Sequence, residues 1–186
     1  MNLGLDMATV KPSTTIFLDS SALIPLLEST HVHHQRLVQY LKSQNASRTT
    51  YIDAVVLSEY LVGADAKANR DEIVKELTRQ FNVVSFDSVS AKVCSELFRV
   101  LDAKGQVPKA KSKRQIAKAD LMIFSSAIVS RAAVIISGDG DFSAYHAQLP
   151  DSICGYKIPA LQKISELPEV VLQADLTGWT GKPKDE

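Results

Sequence analysis

Several things that would announce a function are scarce in this chain. Among its 186 residues there are two cysteines, Cys94 and Cys154, far apart and in no close-set zinc pattern. With no secretion signal, they read as two reduced thiols of a cytosolic protein. Net charge is missing too: 21 Lys+Arg stand against 21 Asp+Glu. That balance excludes a uniformly basic nucleic-acid coat but leaves room for a local basic patch, since the local field guides a phosphate chain. No run approaches the ~18 apolar residues that span a bilayer. The N-terminus, MNLGLDMATVKPS, contains an acid and has no apolar run long enough for a signal peptide. The expectation is therefore a cytoplasmic chain without a membrane partner. Aromatics are lean at 6%, but 45% hydrophobic residues suit an ordinary core, and the length favours one domain.

What is present is alternation. Thr14–Leu18 is a short β-rich run ending at Asp19, and Ser21 reads as the N-cap of a helix over Ala22–Glu28, where Pro25 is tolerable only near the first turn. A helix is predicted over His34–Ser43, a strand around Thr49–Ile52, and a helix from Ala54 to about Ala66, capped by Asp53. Then come a helix over Arg70–Phe81, a strand over Val83–Phe86 and a helix from Asp87 or Ser88 to about Leu101. The polar, lysine-rich stretch Asp102–Lys118 reads as a linker, followed by a helix over Ala119–Ser130 and a buried strand, Ala133–Ile136, that runs into Ser-Gly-Asp-Gly-Asp. A short helix around Phe142–Gln148 and a weaker strand region near Ile153–Lys157 complete the domain. Strands alternating with helices argue for a parallel sheet covered on both faces.

In open α/β sheets, ligands gather outside the carboxyl ends of the strands. Asp19 directly follows one predicted strand and the Ser137–Asp141 loop follows another. Each alone also reads as a cap or turn. Glu59 shares a helical face with Val55 and Val62, which points a carboxylate toward the apolar side, unless it sits at a rim and reaches water. An unpaired buried charge costs on the order of several kcal/mol, so a cation or a raised pKa must meet it. Gly63, beside it, leaves room for close packing. Asp120 falls near the start of its predicted helix, where an anion is favoured for structural reasons alone; Leu121, Phe124 and Ile128 form that helix's core stripe. Four separate elements thus each offer an acid where a common site can form. Converging carboxylates repel one another, and a hard divalent cation, Mg²⁺ or Mn²⁺, resolves the repulsion with oxygen ligands.

The segments IFLDSSALIPLL, SEYLVG, KADLMIFSSAI and VIISGDGDF, in that order and spacing, resemble the PIN-domain family, especially its VapC-like ribonucleases. The likeness runs roughly from Thr14 to Leu161, with Ser137 where many relatives carry Thr. It implies a single flavodoxin-like three-layer α/β sandwich with a central parallel sheet, often dimeric, spanning 14–170. An N-terminal extension (1–13) and a tail (171–186), with Trp179 as the residue expected to dock it, flank it. It also implies Mg²⁺- or Mn²⁺-dependent endonucleolytic cleavage of RNA by Asp19, Glu59, Asp120 and Asp139, with Asp141 as a fifth acid at the metal. VapC-like relatives are often toxins silenced by a small antitoxin protein.

On this reading a metal-activated water hydrolyses the phosphodiester, and Ser20 and Ser137 are hydroxyls that orient the ligands. Lys104, Lys109, Lys111, Lys113, Arg114 and Lys118 lie immediately before Asp120; such a run is either a solvated loop or an electrostatic guide for RNA. His31, His33 and His34 lack a third-ligand pattern and read as a polar helix start. A haloacid-dehalogenase-like phosphatase needs an acid where Ser21 stands, and a dinucleotide enzyme needs a glycine-rich turn in place of Asp-Ser-Ser. The remaining rival is a PIN-like binding module for RNA or protein with little nuclease activity.

Overall fold

A computed structural model of the chain describes residues 14–44, 49–64 and 68–168. The expected extension, 1–13, and the tail, 171–186, with Trp179, lie outside the described residues, as do 65 and 66 at the end of the third expected helix. Among the described residues, five strands form one parallel sheet: β1 (Ile16–Leu18), β2 (Thr50–Asp53), β3 (Asn82–Val84), β4 (Val134–Ser137) and β7 (Ala160–Lys163). They lie in the order β3-β2-β1-β4-β7. A separate antiparallel hairpin pairs β5 (Ser152–Ile153) with β6 (Tyr156–Lys157). Among the described residues seven α-helices flank the sheet: α1 (Ser20–Leu27), α2 (His34–Ser43), α3 (Ala54–Gly63), α4 (Arg70–Gln80), α5 (Ser88–Ala103), α6 (Lys111–Val129) and α7 (Gly140–His146).

The central strands are short continuous apolar runs because both of their faces are covered. Ile16, Phe17, Leu18, Ile135 and Ile136 are fully buried. Against them pack Leu23, Leu37, Leu97, Leu101 and Leu121, with Phe124 and Phe142 in ring contact at 5.0 Å. That last contact fixes α7 against α6 and so sets the loop before α7 beside the turn of α6 that carries Asp120.

Several expectations are corrected. The N-cap of α1 is Asp19, which accepts from the Ser20 backbone N–H; Ser21 lies inside the helix. Pro25 also lies inside α1, beyond its first turn, and the helix ends two residues later; a proline there has no N–H for the preceding turn. The second part of the expected linker Asp102–Lys118, from Lys111 on, is the start of α6, and Asp102 still belongs to α5. Lys, Arg, Gln and Ala are good helix formers, so a polar stretch can be a solvated helical face. The break is confined to a short turn in which Gly105 adopts φ 67° and Gln106 N–H bonds the Leu101 carbonyl, a Schellman closure of α5. Asp120 consequently sits mid-helix, not near an N-terminus. The region near Ile153–Lys157 is the small hairpin, whereas the fifth sheet strand is β7, whose sequence ALQK has no buried residue.

Candidate metal centre

The strand order reverses between β1 and β4, which both pair in parallel with their neighbours. At such a switch point the loops leave in opposite directions and open a crevice at the carboxyl edge. Asp19 ends β1 at this crevice. Its backbone N–H bonds the Ile136 carbonyl of β4, and its side chain is buried.

The Asp19 carboxylate is held by hydroxyls. Oδ1 accepts from Ser20 N at 2.7 Å and from Ser20 Oγ at 3.3 Å. Oδ2 accepts from Ser21 Oγ at 2.6 Å and from Ser137 Oγ at 2.8 Å. The two serine oxygens lie 3.2 Å apart, but each hydroxyl has one proton and spends it on Asp19. As an acceptor, Ser21 Oγ receives the Gly138 N–H at 2.8 Å and Ser137 Oγ receives the Asp139 N–H at 3.0 Å. A Cβ on Gly138 would stand 3.2 Å from Ile164 Cδ1 and 3.6 Å from the Ser21 carbonyl oxygen. Glycine therefore allows the loop after β4 to approach α1. Asp139 caps α7 by accepting from Phe142 N at 3.0 Å, and Asp141 follows, exposed, in the helix's first turn.

Asp120 faces this group from α6. Burial and then the negative charges of Asp19, Asp139, Glu59 and Asp141 push its carboxyl up to about 7. Its Oδ2 is buried without a hydrogen-bond partner. The four acids acting on it are the other four predicted from the sequence, so the fold brings each of them within electrostatic reach of Asp120. Tyr145 of α7 senses the same cluster: burial raises its pKa, and Asp120, Asp141 and Asp139 add to the shift.

Glu59 is half-buried on α3. Burial raises its pKa, a hydrogen bond with the Ser20 side chain opposes the shift, and Asp19 and Asp53 add to it. Ser20 thus touches both Asp19 and Glu59. The apolar face expected around Glu59 is only partly real. Val56 is buried, but Val62 is 82% exposed, and a Cβ on Gly63 would meet nothing within 4 Å. Glu59 stands at a rim, and Gly63 provides no close-packing site.

One acid was absent from the sequence-based set. Asp53 ends β2 as Asp19 ends β1 and is 0% exposed. Its Oδ1 caps α3 through Val56 N at 2.8 Å, as expected from the sequence. Burial raises its pKa, and the charge of Asp19 adds to the effect, against bonds from Val56 and Val55. The Ser126 hydroxyl stands near enough to favour the charged form. Even so, Asp53 Oδ2 and Ser126 Oγ are both buried without a hydrogen-bond partner. The strand-end rule that selects Asp19 points equally to Asp53; its capping role hid it.

The donor set fits a hard cation: carboxylates and hydroxyls, repelling charges, and unpartnered oxygens at Asp120 and Asp53. Among the described residues, no three His, Cys, Asp or Glu side chains are gathered tightly enough to chelate an ion as they stand. An ion at such a spacing would be held through water as well as carboxylates, the mode Mg²⁺ favours. A cavity of about 960 Å³ opens at the other end of β4 beside Ala132, Ala133 and Cys154 and contains none of the five acids.

The basic residues divide by helix face. Lys113 and Ile116, seven and four residues before Asp120, share its face of α6. Lys111, Arg114 and Lys118 lie on other faces: Arg114 covers the Phe98 ring of α5 at 5.0 Å, and Lys118 acts on Cys94. Lys109 is exposed ahead of the helix. Both cysteines are free, and among the described residues no helix is long and apolar enough to cross a membrane.

No curated protein matches the chain. Its structure is similar to VapBC2 from Rickettsia felis bound to a promoter DNA fragment, with a TM-score of 0.54 and 16% identity over 80% of this chain and 97% of that one. It is similar to DNA-bound VapBC from Salmonella typhimurium at 0.53 and 18%, over 81% and 98% of the two chains. FitAcB from Neisseria gonorrhoeae gives 0.55 and 18%, over 82% and 99%. These likenesses show the shared fold, a five-stranded parallel sheet flanked by helices. The PIN domain model matches residues 16–147. With that match spanning well over half of its length, and its acids on the carboxyl edge of such a sheet, the chain belongs to the PIN-domain family.

Proposed function

We propose that the chain is a Mg²⁺- or Mn²⁺-dependent endoribonuclease that hydrolyses RNA phosphodiesters at the Asp19–Asp120–Asp139 cluster. The observation that carries this reading is Asp120. Its unpartnered Oδ2 lies among four other acids, an arrangement that costs free energy until a cation enters. A bound divalent ion supplies a water of lowered pKa and neutralises charge on the phosphoryl oxygens.

The residues divide the remaining work. Asp19, Asp120 and Asp139 hold the ion directly or through water, and Asp141 assists from the first turn of α7. Glu59, half-buried at the rim with its pKa raised by burial, orients the attacking water. Ser20, Ser21 and Ser137 keep the Asp19 oxygens aimed, since each donates to that carboxylate. Lys113, in line with Asp120, steers the phosphate chain into the crevice. Lys109, Lys111, Arg114 and Lys118 add a longer-range positive field.

The test is cleavage of single-stranded RNA with Mg²⁺ or Mn²⁺, comparing wild type with Asp19→Asn and Asp120→Asn. Metal-dependent cleavage by wild type alone is the expected result. Equal cleavage by the variants or in EDTA overturns the reading. The rival, a PIN-like binding module, draws support from the loose spacing of the acids; it predicts poor Mn²⁺ binding together with RNA or protein binding. The likeness to VapBC pairs extends the proposal to a toxin held silent in the cytoplasm by a small antitoxin protein. A homodimer is proposed on family likeness. The domain is proposed to span 14–170.

A further inference from the structure

A groove of about 610 Å³ adjoins the acid cluster on its Asp139 side. Ser21, Gly138 and Asp139 form one wall, the turn carrying His31 and His33 a second, and Lys163 at the end of β7 a third. Neither Glu59 nor Asp120 lines it. The groove is therefore continuous with the proposed metal centre through Asp139 and Ser21, yet distinct from it.

The three histidines, alike in the sequence, do different things. His34 turns inward, its Nδ1 paired with the Leu26 carbonyl at 2.8 Å, and closes the end of α1. His31 and His33 both face the groove, their rings 5.4 Å apart and inclined at 47°. His31 Nδ1 accepts the His33 backbone N–H at 3.1 Å, which fixes the turn. The His33 side chain makes no capping bond although it occupies the cap position of α2. Two histidines without a third ligand do not make a metal site, and among the described residues no such group is present. Across from them, Lys163 is paired with Glu166 at 3.3 Å, but both are about half exposed. Such a pair is weak and easily exchanged for a phosphate.

Flat aromatic rings, an exchangeable cation and a direct path to a metal-bound phosphate suit one kind of occupant. Single-stranded RNA is held by splaying bases onto aromatic or histidine rings while cations follow the backbone. We propose that this groove seats the base of a nucleotide adjoining the scissile phosphate, stacked against His33 with His31 behind it, and that Lys163 contacts that nucleotide's backbone. The seat rests on the ribonuclease reading above and adds to it a residue-level determinant of where the strand lies.

The experiment uses the full chain with Mn²⁺ and short single-stranded RNAs carrying one abasic position at a time. In wild type, one abasic position next to the cleaved bond lowers kcat/KM about tenfold, an effect of the size base stacking provides. His33→Ala shows a similar loss on intact RNA, mainly through KM, and is indifferent to that abasic position. His33→Phe, which keeps a ring, stays close to wild type, and Mn²⁺ affinity is unchanged in both variants. Wild-type cleavage with the same abasic profile in His33→Ala, or a drop in its Mn²⁺ affinity, overturns the seat alone. Wild type that neither binds nor cleaves RNA overturns the function proposed above and the seat with it.

Discussion

Ser21 Oγ accepts the Gly138 backbone N–H at 2.8 Å while donating to Asp19 Oδ2 at 2.6 Å, so one hydroxyl ties the loop after β4 to the carboxylate after β1. The two strands lie next to each other in the sheet but 116 residues apart at Ser21 and Ser137. Removing that hydroxyl takes from Asp19 Oδ2 one of its two donors, leaving Ser137, and from the Gly138 N–H its side-chain partner. Ser21→Ala is expected to lower Mn²⁺ affinity about tenfold, as loss of a ligand-orienting partner does. It is also expected to cost about 1–2 kcal/mol of stability. Calorimetric Mn²⁺ titration and a thermal melt in EDTA check both; unchanged metal affinity would remove Ser21 from the site.

Asp120 makes stability depend on pH. Its carboxyl titrates near 3.8 in an unfolded chain and at about 7 in the fold. Well below pH 4 both states hold the proton and this residue's contribution to stability is fully present. Between pH 4 and 7 the unfolded chain releases it first, so this residue's contribution falls as pH rises and levels off above 7. The difference between wild type and Asp120→Asn isolates it from the other titrations. In EDTA at pH 7.5 the variant is expected to be more stable by about 2 kcal/mol, a figure discounted for solvent screening. The difference shrinks toward pH 4. Mn²⁺ should raise the Tm of wild type far more than that of the variant. A wild-type–variant difference that is flat with pH would count against the buried, like-charge setting of Asp120.

Asp53 offers a second, separable test. Asp53→Asn keeps a cap oxygen for Val56 N–H and removes a buried charge, while its amide can donate to the unpartnered Ser126 Oγ. The metal-free variant is expected to gain about 1 kcal/mol, the usual worth of one satisfied hydrogen bond. Asp53→Ala loses the cap and should cost about 1–2 kcal/mol. Denaturant melts of the pair give the comparison; a destabilised Asn variant would show that the Asp53 charge is compensated in the fold.

The division of the basic residues on α6 predicts unequal effects on RNA. Lys113→Glu should weaken RNA binding and reduce the salt slope by about 0.7, the loss of one phosphate contact on a single strand. Lys111→Glu, on another face, should change affinity less and leave the slope nearly unaltered. Anisotropy titrations across a salt series decide this, and equal slopes in the two variants would mean that α6 acts only through its overall field.

Much of the fold was legible because its signals are local. Ile16–Leu18 and Val134–Ser137 are apolar runs buried on both faces, and such runs bounded by turn residues mark central strands wherever they occur. The edge strand β7 escaped because ALQK carries no such run; its place comes from hydrogen bonds offered by β4. The first half of α6 escaped for the complementary reason. Its lysines are solvated and resemble a linker, yet they are good helix formers and Arg114 packs on Phe98 of α5, so the stretch is the solvated face of a helix.

The acids show where sequence stops. Position after a strand nominated Asp19, Asp139 and Asp141, a helix stripe Glu59 and a predicted helix start Asp120, together with the motif resemblance; these rules depend on neighbours a few residues away, and the helix start proved wrong for Asp120. Asp53 satisfied the strand-end rule and was obscured by its capping role. Ser21, taken from the sequence for a cap, proved to be the link between two loops. Whether five carboxylates repel one another, whether Val62 covers Glu59 and which of three histidines meets the groove are decided by distances between segments far apart in the chain. Those distances are set by how α6, α7 and the β1–β4 crevice pack. The sequence alone determined which residues can carry the charge; the tertiary structure decided that the charge is concentrated, because burial and proximity, unlike residue type, belong to the fold.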